Sequence, residues 1–460
     1  MTLLDEVQGA DATGFAEAIR RGDLDPVEAV TEAVERTREA HERFNCLSAD
    51  LGDEAVDAAR RSDRSGPFAC VPFLLKDLGA TQAGMPFTMG NRVLRNAGYR
   101  SPADTPLGQR LRASGLIAVG RGATSELGLQ TTTQPLANGP TRNPWAPERS
   151  PGGSSGGSAV AVAVGAVPFA HGNDLAGSLR IPAAWCGVYG LKPSRGRMPL
   201  PSDFVDPYAV EFGLARSVRD MGGLLDALAG AVPGQLYHPA ATPPSFIEAV
   251  TRPPHTLRIG VLEAGPIAPS CAAAVDRTVE ALRHAGHRLD VVAGVFEGAP
   301  LDALRTLARV GARARMARIA QALGRELGEA DVEPYTWALA APTEPVGAEA
   351  YEAARTRVHV WGAAVIERQG DIDILLTPTV PEPAVPLADY DPPPGDPLAV
   401  TRLVARHIAF TQPFNVTGQP ALSMPAGRDA TGLPVGVQLV GPPGREDLLL
   451  SLAASIEGAL

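Results

Sequence analysis

The sequence predicts an α/β protein built as one large domain, and three observations predict it. Residues 257–262, 272–284 and 287–292 read as strand, helix and strand, with Gly286 placed to turn the chain between the last two. Apolar runs of strand length recur on both sides of this unit, and the first sixty residues have helical periodicity. The 460 residues are 45% hydrophobic and 20% charged, the balance of a globular chain with a sizeable core. Length alone also allows two or three smaller domains. No composition shift marks a boundary between them.

The elements follow in chain order. Residues 11–21 have helical periodicity. Asp25 is placed to cap a second helix, with Pro26 at its first position and an end near Glu42. Residues 53–61 form a further helix, stopped by Ser65-Gly66-Pro67. The apolar run 71–75 reads as a buried strand that delivers Lys76 and Asp77 at its end. Residues 116–120 are a second strand, and a third precedes Lys192. Residues 131–157 are dense in Pro, Gly, Asn, Ser and Thr and read as ordered loop. Beyond the strand–helix–strand unit, 372–376 and 436–440 are strands, and 381–397 is a proline-rich surface loop.

Charge and cysteine usage exclude several functions. With 41 basic against 51 acidic residues the formal charge is −10, which repels a phosphate backbone, so nucleic acid is not expected as a partner. The longest small-apolar run, 159–170, is too short to cross a bilayer, and the first residues lack a basic, then apolar, leader pattern. A cytoplasmic protein without a membrane partner is expected. Cys46, Cys70, Cys186 and Cys271 lie far apart and suit buried small hydrophobes better than a disulfide framework or zinc site. His284 and His287 make a poor metal pair. No metal is expected.

Only two of the 41 basic residues, Lys76 and Lys192, are lysine. A desolvated lysine can lose its proton near neutral pH, whereas a guanidinium cannot. The two lysines are therefore pointers whose weight depends on what surrounds each one. Between them lie Pro151-Gly152-Gly153-Ser154-Ser155-Gly156-Gly157-Ser158 and Asp174-Leu175-Ala176-Gly177-Ser178-Leu179-Arg180. A phosphate loop would need Gly-Lys-Ser/Thr, which is missing. Gly153 to Gly157 satisfies Gly-x-Ser-x-Gly, but a nucleophile elbow follows a strand and this stretch follows loop. The third reading joins both segments and Lys76 in one site. A serine hydroxyl is a weak nucleophile that needs a base, and a second serine can both accept and donate a proton between them.

On Val71-Pro72-Phe73-Leu74-Leu75-Lys76-Asp77, Asn143-Pro144-Trp145, the glycine-serine stretch, Gly177-Ser178-Leu179-Arg180-Ile181-Pro182-Ala183, Cys186 to Pro193 and Pro413-Phe414-Asn415-Val416-Thr417-Gly418-Gln419-Pro420-Ala421, the chain resembles the amidase signature family. These are serine hydrolases of the amide bond with a Ser–cis-Ser–Lys triad. The resemblance implies a mixed sheet covered by helices. It implies Ser178 as nucleophile, Ser154 as the bridging serine after a cis peptide bond, and Lys76 as base. Leu175, Ala176, Gly177 and Ser178 would supply the oxyanion hole, Ser155 would tune the network, and Asp174 would pair with Arg180 to hold the loop. Lys192 takes a structural part. The substrate implied is a small-molecule amide, cleaved to acid and amine without a cofactor; a homodimer is allowed for.

Two departures matter. Ala176 stands where the family usually has glycine, and a positive φ there would penalise the methyl group. Ile181 stands where the transamidating branch, whose A-type member works on misacylated tRNA with partner proteins, has glutamine. That favours a free-standing hydrolase over this alternative, while Lys76, Ser154 and Ser178 kept together at the family's spacing weigh against a decayed, non-catalytic binding protein. The stretches 71–76 and 171–174 also resemble the branch that opens 6-aminohexanoate cyclic dimers. The chain divides into an N-terminal helical segment (1–65), the motif-bearing core (66–195), a variable region expected to shape the substrate pocket (196–370) and a C-terminal core segment (371–460). In the variable region Arg305, Arg309 and Arg313 stack on one helical face, read as a solvated stripe rather than a carboxylate site. Tyr335, Trp337, Tyr351 and Trp361 read as core rather than as an acyl pocket.

Overall fold

A computed structural model describes residues 11–201, 206–238, 243–340 and 345–460. Local signals place the first helices where the sequence predicts them. Asp11 caps Ala12–Arg21 through the Gly14 N–H, and Asp25 accepts from the N–H groups of Val27 and Glu28 at the start of Pro26–Phe44. A third helix, Gly52–Arg61, follows.

Eleven strands of the described residues form one sheet. They are β1 (Leu47–Asp50), β2 (Pro72–Lys76), β3 (Ile117–Gly122), β4 (Phe169–Asp174), β5 (Tyr189–Lys192), β6 (Val210–Ala215), β7 (Arg258–Leu262), β8 (Arg288–Val292), β9 (Ile374–Pro378), β10 (Ala421–Arg428) and β11 (Pro434–Val440). Their order is β1-β3-β2-β4-β6-β5-β10-β11-β9-β7-β8. The sheet is mixed. β2 runs parallel to β3 and β4, and β7 runs parallel to β8 and β9, while the strands between pair antiparallel. Every residue of β2 and β3 is buried, as expected for parallel strands covered on both faces. The edge strand β8 instead exposes Arg288, Asp290 and Val291, and Asp290 pairs with Arg258 of β7 at 2.7 Å; charges of this kind discourage pairing with another chain.

The predicted strand–helix–strand unit is β7, the helix Pro269–His284 and β8. β1, β4, β6 and β10 are strands that periodicity did not indicate. β4 ends in Gly172, Asn173 and Asp174, and β6 contains Glu211 and Gly213, all poor strand formers. Pairing on both sides overrides that local preference, because β4 lies between β2 and β6, and β6 between β4 and β5. The proline-rich stretch 381–397 is not a surface loop throughout. Ala384, Val385 and Tyr390 are buried with Ile181 and Trp185, and the Val385 carbonyl accepts from the Ser150 N–H at 2.9 Å. It roofs the glycine-serine loop. All four cysteines are free and buried. Among the described residues no helix is long and apolar enough to cross a membrane.

Candidate active site

The parallel pairing of β2 with β4 sets Lys76 beside Asn173 and Asp174, since both strands end on the same side of the sheet. The glycine-serine loop closes over this point. Gly153 permits the approach: a Cβ there would lie 2.3 Å from the Thr132 carbonyl oxygen. The peptide bond between Gly153 and Ser154 is cis. Lys76 is fully buried, and its Nζ donates to Ser154 Oγ at 2.7 Å, Ser155 Oγ at 2.8 Å and Asn173 Oδ1 at 2.6 Å. Burial pulls the amine down to about 7, against the opposing pull of the Asp174 and Glu211 carboxylates.

Three acceptors fill the three donors of an ammonium. When Lys76 is neutral, one of them must give way to its lone pair. Asn173 is not that one, because its Oδ1 only accepts while its Nδ2 donates to the Leu78 carbonyl at 3.1 Å. The lone pair therefore faces a serine. Asn173 is a site residue that the sequence reading does not single out. Its only signal is its position beside Asp174 in the His171-Gly172-Asn173-Asp174 lead-in.

Asp174 and Arg180 form a buried ion pair with two hydrogen bonds, Nε to Oδ2 at 2.9 Å and Nη2 to Oδ1 at 2.8 Å. Arg180 also donates to the Thr411 carbonyl, Gln438 Oε1 and Asn415 Oδ1, so all five of its donors are used. Such satisfaction is what offsets the desolvation of a buried pair. Burial alone would raise the Asp174 carboxyl; Arg180 and the Asn415 amide bring it to about 2 instead. Asp174 also accepts from the N–H groups of Gly177, at 2.8 Å, and Leu179, at 3.1 Å, which winds the chain into the turn that carries Ser178.

Within that turn the glycine requirement falls on Gly177, not on Ala176. Gly177 has φ +136° and a Cβ there would lie 2.4 Å from Thr411 Oγ1, whereas Ala176 has no positive φ. The alanine thus carries no backbone penalty. The Gly177 N–H is already given to Asp174. Among the described residues the N–H groups of Leu175, Ala176 and Ser178 have no acceptor.

Ser178 and Ser154 both line a cavity of about 590 Å³, together with Asn173, Leu175 and Glu211. The structure joins Lys76, Ser154, Ser155 and Asn173 by hydrogen bonds, but it gives the half-buried Ser178 hydroxyl no hydrogen-bond partner among the described residues. The expected contact between the two serines is not made in this rotamer. One χ1 dihedral with three staggered wells governs it. Glu211 Oε2 meets His171 Nε2 at 3.0 Å, and burial holds that imidazole below its usual range.

Lys192 is also fully buried, on β5, with its Nζ donating to the Pro193 carbonyl at 3.0 Å; burial, with Arg180 nearby, pushes it well below the usual lysine range. It does not reach the cavity. From the variable region, Tyr351, Arg315, Arg318 and Arg355 line the cavity, whereas Trp361 sits in a core cluster and Tyr335 is buried elsewhere. Arg305 and Arg313 are exposed and Arg309 is half-buried, on a helix face turned from the cavity.

Fold and site together define a hydrolase class, an α/β protein with a buried serine–lysine centre at the foot of a cavity. Residues 28–450 match the amidase family. The chain is 39% identical to a 6-aminohexanoate-cyclic-dimer hydrolase of a Pseudomonas species over 98% of its own length and 94% of the relative's. It is 34% identical to the A-type component of the glutamyl-tRNA(Gln) amidotransferase of Thermus thermophilus, with 96% and 95% covered. A solved structure of 6-aminohexanoate cyclic dimer hydrolase complexed with substrate superposes with a TM-score of 0.93 at 36% identity, covering 98% of this chain and 97% of that one. The chain belongs to the amidase family, the hydrolases of the carboxamide bond.

Proposed function

We propose that this chain hydrolyses a carboxylic amide through a seryl acyl-enzyme, with Ser178 as nucleophile, Ser154 as relay and Lys76 as base. The observation that carries the reading is the contact of a fully buried amine, near neutrality in pKa, with the Ser154 hydroxyl. Ser178 Oγ attacks the amide carbon as its proton passes to Ser154 Oγ, whose own proton passes to neutral Lys76 Nζ. The new oxyanion takes the unused N–H groups of Leu175, Ala176 and Ser178, while Gly177 is the pivot that lets them converge. Collapse breaks the C–N bond, and the proton returns from Lys76 through Ser154 to the leaving amine. Water then attacks the acyl-enzyme by the same route. Catalytic hydrogen bonds are often open before substrate arrives, which accommodates the free Ser178 rotor. Ser155 and Asn173 hold the amine so that its lone pair faces the serines, and Arg180 with Asp174 holds the turn.

The substrate is a small amide, and the cyclic-dimer hydrolases among the relatives favour a cyclic or linear aliphatic one. The lining drawn from residues 307–355 supports the variable region as the shaper of the pocket. Transamidation is less well supported: the amidotransferase component is the less similar relative, and Ile181 replaces the branch's glutamine. A fluorophosphonate that adds to Ser178, located by peptide mass spectrometry, tests the roles. An unlabelled protein, beside a control hydrolase that reacts, would refute the nucleophile. A panel of cyclic, linear, aryl and primary amides, assayed by released amine or ammonia, then defines the substrate.

A further inference from the structure

The cavity is electrically uneven. Near the serines it holds Glu211, beside Asn173: a Cβ on Gly79 would touch Glu211 Oε1 at 2.6 Å and Asn173 Nδ2 at 2.7 Å. The helix Leu301–Leu323 also lines the cavity, with a stripe at helical spacing, Leu307, Gly311, Ala314, Arg315 and Arg318. Among small and apolar neighbours this stripe places two guanidiniums. Neither donates a hydrogen bond among the described residues. Among the described residues Arg315 forms an ion pair with Asp206, which also lines the cavity, at 3.6 Å, too long for a hydrogen bond, and Arg318 has no acidic partner within 4.0 Å. A third cavity arginine, Arg355, is paired with Glu352 at 3.0 Å.

Unfilled guanidinium donors in a cavity are suited to a planar anion, above all a carboxylate. Within this cavity an anion is disfavoured beside Glu211 and favoured beside the two guanidiniums. We propose that Arg315 and Arg318 form a carboxylate subsite, and that the preferred substrate is an amide carrying a free carboxylate away from the scissile bond. This inference rests on the amidase reading above and sharpens its substrate class. Asp206 fills the place of the substrate's carboxylate only loosely, which leaves the site open to exchange.

A matched pair of para-nitroanilides tests it, glutaryl with a terminal carboxylate and pentanoyl without. Wild-type protein should favour the glutaryl amide in kcat/KM by about tenfold, the range of one charge-assisted contact. Arg315→Gln and Arg318→Gln should each lower that ratio about tenfold, mainly through KM of the glutaryl amide. Arg313→Gln, on the solvent face of the same helix, should leave the ratio in place. Rising salt should shrink the preference. Equal ratios in wild type and both variants would overturn the subsite. Glutarate binding, measured by calorimetry, does not require turnover: it should weaken about tenfold in either variant. Failure of glutarate to bind wild-type protein refutes the subsite, whereas binding without turnover of either anilide counts against the amidase reading alone.

Discussion

The two walls of the cavity are built on opposite principles. On the sheet side every donor of Lys76 and Arg180 has an acceptor, both side chains are fully buried, and neighbouring elements hold each partner. On the helical side Arg315 and Arg318 reach the cavity without donating a hydrogen bond among the described residues, Arg315 holds Asp206 only at 3.6 Å, and solvent is close at hand. A saturated buried network is intolerant, because removing one member leaves another unpaired where water cannot replace it. A wet wall is tolerant, because water takes over lost contacts. Chemistry that needs a defined proton path suits the first wall, and substrate recognition suits the second.

Lys76→Ala strikes the saturated wall hardest and should lower kcat about 10²–10⁴-fold, the range for a general base. Lys76→Arg should not restore it, since a guanidinium stays protonated; turnover near wild type in steady-state assays of the arginine variant would break the contrast. Arg180→Met leaves Asp174 buried without its cation and should destabilise the fold by about 3–5 kcal/mol, read by urea unfolding. The pH profile is the next test. With Lys76 as the proposed base the neutral amine is the active form, so kcat/KM should fall about tenfold per pH unit below a pKa near 7 and level off above it. A flat profile across neutrality would remove the base.

Gly177→Ala forces a side chain into φ +136° against Thr411 and should cost about 1–3 kcal/mol of stability or of transition-state binding, while Ala176→Gly should change either by less than about 1 kcal/mol. Thermal unfolding and kcat/KM measured on both variants separate the two positions. Smallest of all, Arg318→Gln on the wet wall should shift unfolding free energy by no more than about 0.5 kcal/mol. A loss comparable to that of Arg180→Met would show the two walls to be built alike.

Much of the sheet-side wall is legible in the chain itself. The scarcity of lysine directs attention to Lys76 and Lys192, and both are fully buried, although only Lys76 reaches the serines. Ser154, Ser155 and Ser178 stand in contiguous motifs whose glycines mark close backbone approach. Asn173 and Glu211 are not legible as site residues, because each owes its place to pairing of β4 and β6 across the sheet. The arginine stripe illustrates the same limit. Spacing shows that Arg305, Arg309 and Arg313 share a face, and equally that Arg315 and Arg318 lie on another, but it does not say which face meets the cavity.

Local order was therefore determined by the sequence alone: the capped N-terminal helices, the apolar run that ends in Lys76, the strand–helix–strand unit, and the motifs that mark the family. Those signals act over a few residues, through backbone sterics, capping and the period of apolar side chains. Tertiary structure decided the properties that depend on what is packed against a group. It drew the lysine's pKa down to about 7 by excluding water, assigned the positive φ to Gly177 instead of Ala176, and turned Arg315 and Arg318 toward the cavity. Desolvation, close approach and helix phase arise between residues distant in the chain, and no local pattern carries them.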